Sequence, residues 1–259
     1  LLIILWLIYF LLLKMITIEN LHKYFENKKV LNGVNLHIEE GTSSVIIGGS
    51  GTGKSVLIKC ILGLLTPEKG RISIKNNIIF ENGKFKKNSK IKIGMLFQGG
   101  ALFDSLRIWQ NVSFYNIQNG KNKKFCFEDA ILNLEKVGLS SDVVNLYPSE
   151  LSGGMQKRVA LARAISIKPD IIFFDEPTTG LDPISADVIN KLIIEKVRDI
   201  GATSLTITHD MSSARTISDK IHMLNKGEII WEGNKDTIES TDNPFVVQFI
   251  NGLSEGPIN

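Results

Sequence analysis

The run Gly48-Gly49-Ser50-Gly51-Thr52-Gly53-Lys54-Ser55 constrains this chain more than any other stretch. The apolar segment SSVII leads directly into it. Residues Lys54 to Leu65 follow with apolar positions at helical spacing and no proline. Strand, Gly-rich turn and helix is the setting in which such a loop wraps an anion. Glycines let the backbone approach phosphate closely, where a Cβ would block it. Successive N–H groups and the start of the helix then face the negative oxygens. Lys54 supplies a point charge for β- and γ-phosphates, and the Ser55 hydroxyl ligates Mg²⁺. The bland alternative is a Gly-rich turn by chance, which the eight-residue match in this context argues against. Pro67 and Gly70 close the unit as breakers.

The rest of the chain reads as α/β. Short β-type runs (ITI, VNLHI) precede the loop, RISI and NIIF follow it, and IKIGMLF runs into Gln98. From about residue 99 to 165 the pattern turns helical. FEDAILNLEKVGL has apolar residues three and four apart and ends at Gly138, and a longer helical pattern runs from Met155 to Ile167. DIIFFDEP and LTITHD are apolar without alternation, as buried parallel strands are. An amphipathic helix near Ser185–Ile200, closed by Gly201, lies between them. A strand pair and a last helix around Phe245–Asn251 finish the chain.

Two further motifs carry chemistry. Asp175, at the end of IIFFD, is placed to hold Mg²⁺ directly or through water. Glu176 beside it is placed to polarise an attacking water as general base. Many strands end in acidic residues that merely cap a helix, so this pair gains its weight from the phosphate loop upstream. Leu151-Ser152-Gly153-Gly154-Met155-Gln156 sets a hydroxyl and backbone N–H groups at a helix start, a second anion cradle. As a plain capped helix, Ser152 is the N-cap. One chain has little use for two cradles around one nucleotide, whereas two chains arranged head-to-tail use both.

LSGG resembles the signature of the ABC ATPases, a resemblance that extends from Met15 to the C-terminus. It implies a P-loop NTPase fold with a RecA-like core, an antiparallel β subdomain and a helical signature subdomain over about 99–165. It also implies ATP and Mg²⁺ as cofactors. Gln98 resembles the glutamine that contacts Mg²⁺ and water while relaying to a membrane subunit. Thr179-Gly180-Leu181-Asp182 resembles the D-loop, and His209 the switch histidine that touches the γ-phosphate. Phe25 matches the aromatic that stacks on adenine, with Tyr24 an adjacent competitor. Ser152, Gly153 and Gly154 of one chain are expected to complete the site built by Lys54 and Glu176 of another.

Val56, the words FQGGALFDSLRIWQNVSF after Gln98, and the ending NPFVVQFINGLSEGPI resemble the ATPase of Mla-type, MCE-associated phospholipid transporters. That resemblance implies a polytopic permease, an MCE-domain protein and a small accessory subunit as partners, the tail serving either the ATPase dimer or that subunit. It also implies a peripheral place on the cytoplasmic face of the inner membrane. Leu102, Phe103 and Trp109 are expected to be exposed for permease contact, their alternative being helical-domain core. Gln110 stands where relatives often carry an acid.

Composition sets limits. A formal net charge of +3 over 259 residues gives no reason to expect nucleic acid. Lys84, Lys86, Lys87 and Lys90, and again Lys121, Lys123 and Lys124, read as solvated loops, with anionic headgroups as the sharper alternative. Cys60 and Cys126 form no CxxC pair, and Cys60 reads as a small buried residue in a reducing compartment. Residues 1–13 are apolar throughout, too few for a spanning helix and without the charge that precedes a secretory core. The expectation is that residues 1–14 are an upstream leader, with a short hydrophobic anchor as the alternative, and that the ATPase domain, 15–259, starts at Met15. Two other classes fit the sequence less well. DNA-acting relatives insert a long coiled coil, absent between Lys54 and Ser152, and ribosome-acting ones fuse two ATPase domains. Small nucleotide kinases and GTPases lack LSGG.

Overall fold

The computed structural model describes residues 14–26, 28–86 and 91–258. The apolar leader, 1–13, and the lysines Lys87 and Lys90 lie outside the described residues. Lys14, assigned to the leader from sequence, opens strand β1. The chain divides into two compact units, Ile91–Thr206 and the remainder.

In the unit formed by the two ends of the chain, strands β1 (Lys14–Phe25) and β2 (Lys28–Glu39) are each 12 residues long. They pair antiparallel from Lys14↔Glu39 to Phe25↔Lys28. With β4 (Lys69–Ile74), β5 (Asn77–Glu81) and β6 (Lys84–Phe85) they make a sheet of order β2-β1-β4-β5-β6. This is the expected antiparallel β subdomain, with longer strands than the short runs in the sequence suggested. Gly70, read as a breaker, lies inside β4 with φ +104°, where a Cβ would stand 2.5 Å from the Asn20 carbonyl oxygen. Glycine is there because β1 passes too close for any side chain.

The same unit holds β3 (Ser43–Ile47), parallel to β10 (Lys220–Asn225), which pairs antiparallel with β11 (Glu228–Asn234). Helix α1 (Lys54–Ile61) follows β3. It stops short of the expected Leu65 because Gly63 turns left-handed (φ +73°) and the N–H groups of Leu64 and Leu65 both fold back to the Lys59 carbonyl. Cys60 is buried in α1, and burial pushes its thiol up to about 12, so it stays an inert packing residue.

In the unit Ile91–Thr206, β7 (Ile93–Leu96) runs parallel to β8 (Ile171–Asp175), and β9 (Thr203–Ile207) follows in the order β9-β8-β7. All five residues of β8 and of β9 are buried, as their unbroken apolar runs required. The helices are α2 (Ile108–Val112), α3 (Phe114–Gln118), α4 (Lys123–Lys136), α5 (Gly153–Ser166) and α6 (Pro183–Ile200). Helix α4 begins four residues before the FEDAIL pattern because the Asn122 side chain caps it by accepting from Phe125 N (2.8 Å). Helices α7 (Met211–Ile217) and α8 (Pro244–Asn251) belong to the first unit. Among the described residues no helix is long and apolar enough to cross a membrane.

His222 in β10 is fully buried, and neither ring nitrogen has a hydrogen-bond partner. Burial pushes it down to about 4; Glu232, 3.6 Å from Nδ1, opposes that shift and Lys220 adds to it. A histidine kept neutral by folding is protonated more readily in the unfolded chain. Its contribution is therefore complete above pH 6.5 and is lost as pH falls toward 4. The loss expected is about 3 kcal/mol. Denaturant titrations at pH 7.5 and 4.5 check this: His222→Met should flatten the acid limb by that amount, and an unchanged limb contradicts it.

Candidate functional site

The loop after β3 has the geometry its glycines foretell. Gly48 takes φ +152°, and a Cβ on it would stand 2.3 Å from the Leu224 carbonyl oxygen. Gly53 takes φ +107°, with the Val30 carbonyl 2.8 Å from where its Cβ would be. These two positions exclude any other residue. Thr52 Oγ1 donates to Gly49 O (2.9 Å) and so closes the turn over Ser50 and Gly51. Lys54 is buried, and its Nζ donates to Gly48 O (2.6 Å) and Gly49 O (2.8 Å). The ammonium is thus fixed inside the loop rather than waving in solvent. Ser55 follows at the first turn of α1, at the positive end of the helix, which favours an anion.

Phe25 and His209 belong to the same unit. Phe25 is 42% exposed at the end of β1, with Lys23 Nζ 5.1 Å from its ring centre. Tyr24 is committed elsewhere: its hydroxyl bonds His22 Nδ1 (3.2 Å). Glu68 accepts from Tyr24 N (2.7 Å) and from Lys23 Nζ (2.7 Å). Burial resists ionisation of Glu68, yet these two donors outweigh it and hold its carboxyl below the usual range. The backbone beside Phe25 is therefore pinned while its ring stays open, whereas the Tyr24 hydroxyl is engaged. Thr208 N donates to Ile46 O (3.1 Å), which brings exposed His209 to the end of β3, beside Gly48. Asp210 caps α7. Burial opposes its ionisation, but the Ser213 hydroxyl and amide, the Ser212 amide and nearby His209 hold it low.

In the other unit the register Leu96↔Phe174 carries the two strand ends in step, so Gln98 and Glu176 each lie two residues past a paired position. Asp175 and Glu176 are both buried. Glu176 takes a left-handed backbone (φ +49°), uncommon outside glycine, and its Oε2 accepts from Thr179 Oγ1 (3.1 Å). Strain of this kind, held in place by neighbours, is characteristic of functional positions. Ser152 is the N-cap of α5, its Oγ accepting from Met155 N (3.3 Å). Gly153 and Gly154 form the first turn. Helix α5 thus starts two residues before the expected Met155, because a capped helix admits glycine there. Gln156 secures the segment by donating to Pro148 O (2.9 Å) and Leu151 O (3.2 Å). Ser152 and Gly154 border a concavity of about 150 Å³ with Arg158 and Ser185.

Asp182 proves to be a capping residue locally. Its carboxylate accepts from the Ser185 hydroxyl (2.6 Å) and the amides of Ile184 and Ser185, and these bonds, the Ser185 hydroxyl first, hold it low. Trp109 corrects an expectation. It is only 8% exposed, edge-on to Phe127 at 5.8 Å, and belongs to the helical core. Leu102 is half-buried. Phe103 remains open, stacked on Phe114 at 4.6 Å. An apolar recess of about 410 Å³ lies there, lined by Met95, Phe97, Phe103, Tyr115 and Ile167 with Arg163 at its wall.

Sequence reasoning passed over Lys157 and Arg163 of α5. Lys157 is buried and its Nζ donates to the Gln98 carbonyl. Burial lowers its pKa, while the charges of Asp175 and Glu176 work the other way. Lys157 and Arg163 are two of three cations along an Ala-rich helix, and their partners lie far off in sequence.

A model of the ABC transporter family matches residues 31–179, a span that includes the phosphate loop, Gln98, the LSGG segment and Glu176. The chain belongs to that family, as an ATP-binding, ATP-hydrolysing cassette. It is 39% identical over 245 residues to the probable ribonucleotide transport ATP-binding protein mkl of Mycobacterium leprae (strain TN), covering 94% of this chain and 70% of that protein. It is 37% identical over 247 residues to the intermembrane phospholipid transport system ATP-binding protein MlaF of Haemophilus influenzae, covering 94% and 93%. Among solved structures, a dimeric ATP-binding cassette in a post-hydrolysis state, bound to ADP and Pi, superposes with a TM-score of 0.75 at 31% identity. That match covers 85% of this chain and 99% of the other.

Proposed function

We propose that the chain hydrolyses ATP as one of a head-to-tail pair and drives phospholipid transport between envelope membranes. It does so from the cytoplasmic face of the inner membrane, bound to a polytopic permease and an MCE-domain protein. The observation that carries the ATPase part is the Gly48–Ser55 cradle with Lys54 locked inside it. The lipid part is supported by the likeness to MlaF over almost its full length.

The roles follow from chemistry. Phe25 stacks on adenine. The N–H groups of Gly48, Gly49, Ser50, Gly51, Thr52 and Gly53 cradle the phosphates, and Lys54 neutralises the β/γ pair. Glu176 takes the proton of the attacking water, and His209 contacts the γ-phosphate. Ser152, Gly153, Gly154 and Asp182 of the second copy close the other side. Among the described residues no three His, Cys, Asp or Glu gather to hold a metal. Mg²⁺ is held through one or two carboxylates and substrate phosphates rather than by an all-protein cage. Ser55, Gln98 and Asp175 would supply the donors for such an ion, which would offset charge on the phosphates. The ATPase domain takes in the strand that opens at Lys14, and its helical part lies near 99–165. No nucleic-acid partner is proposed.

The Phe103 recess is offered as the permease seat, since it holds open apolar area beside the segment that follows Gln98. The tail folds back on α8: Gln248 Oε1 accepts from Ile258 N (2.7 Å) and Gln248 Nε2 donates to Leu253 O (3.2 Å). This shaped end is offered for the dimer contact or a small accessory subunit. The likeness to mkl favours a second reading, in which the cargo is another solute. Isolation of the tagged chain from native membranes in mild detergent decides between them. Co-isolation of an MCE protein and a permease is expected; a binding protein for sugars or amino acids would overturn the lipid reading.

A further inference from the structure

We infer that Lys157 and Arg163 form a two-point strap by which helix α5 positions the Gln98 loop, making both positioning residues for hydrolysis. Three carbonyls of this short loop point at one helix, and each is met there by a cationic side chain. Lys157 Nζ donates to Gln98 O. Arg163 Nη2 donates to Gly100 O and Nη1 to Ala101 O, both at 2.7 Å. Gly100 and Ala101 are both left-handed (φ +76° and +46°), and Gly100 N closes on Phe97 O at 2.7 Å. That turn aims the carbonyls at α5 instead of letting β7 continue. A left-handed alanine persists only where surroundings hold it, and the Arg163 fork is what holds this one. Gly100 also lies flat on the helix, a Cβ there being 3.7 Å from Ala160 Cβ.

The strap connects three places. Its helix starts at Ser152–Gly154. Lys157 sits where the charges of Asp175 and Glu176 act on it. Ala101 and Arg163 line the Phe103 recess. The helix start, the Gln98 carbonyl and the recess wall are thus all built on the one helix. Contacts to charged donors hold such geometry more firmly than neutral ones.

The inference rests on the reading of Gln98 given above, and the test separates the two. In the full chain, Lys157→Met is expected to lower kcat for ATP at least about tenfold, since small misplacement of a reacting group is costly. KM should stay within about twofold, because uniform binding is untouched. Lys157→Arg, which keeps the charge and the donor, should restore kcat to within about threefold. Amides of residues 100–103 should exchange with deuterium at least about tenfold faster in Lys157→Met while those of α5 stay protected. Wild-type kcat, unchanged loop exchange, or parallel loss of kcat and KM without rescue by arginine would overturn the strap. If Lys157→Met does not fold, Arg163→Lys reaches one carbonyl instead of two and should lose about threefold in kcat alone; wild-type kcat there overturns it. Gln98→Ala is measured alongside. A wild-type rate in that variant refutes the role of Gln98, whereas a slow Gln98→Ala beside a normal Lys157→Met refutes the strap.

Discussion

Glu176→Gln binds MgATP within about threefold of wild type and hydrolyses it about a hundred- to ten-thousandfold more slowly, the range for losing a general base. Glutamine keeps the size of the side chain and still accepts the Thr179 hydroxyl that now bonds Glu176 Oε2. Local packing is therefore preserved, and the left-handed turn at Glu176 with it. What disappears is a basic oxygen able to take the proton of the attacking water. Single-turnover hydrolysis and a nucleotide titration on the same preparation separate chemistry from binding. Turnover at the wild-type rate would remove Glu176 from the general-base role.

Lys54→Ala acts on binding itself. The ammonium is buried and held by Gly48 O and Gly49 O, so it meets phosphate already oriented. A charge-assisted hydrogen bond of this kind contributes about 1.5–3 kcal/mol. Affinity for MgATP should fall about ten- to a hundredfold. The substitution also leaves two loop carbonyls without their donor, which loosens the cradle. Equilibrium titration with a fluorescent ATP analogue checks this, and an affinity within twofold of wild type contradicts it.

Much of the site was legible in the sequence because its chemistry is local. Gly48, Gly53 and Lys54 act through their own backbone and immediate neighbours, and the strand–turn–helix setting is continuous in the chain. Ser152 was legible for the same reason, since an N-cap reaches only three residues ahead. What failed to show depends on distant partners. Trp109 looked like a docking residue because nothing nearby in sequence reveals that Phe127 covers it. Gly70 looked like a breaker because its close approach to Asn20 comes from strand β1. The Leu62–Leu65 stretch looked helical because its apolar residues outvote one glycine in a periodicity count, whereas in the folded chain Gly63 decides. Lys157 and Arg163 stayed invisible because the carbonyls they hold lie 59 to 63 residues away.

The roles given to Ser152–Gly154 and to Lys54 require two chains around each ATP. Light scattering on Glu176→Gln reports that directly. A mass equal to one chain is expected in MgADP and twice that in saturating MgATP, with doubling abolished by Ser152→Arg. An ATP-loaded variant that keeps the mass of a single chain would contradict it.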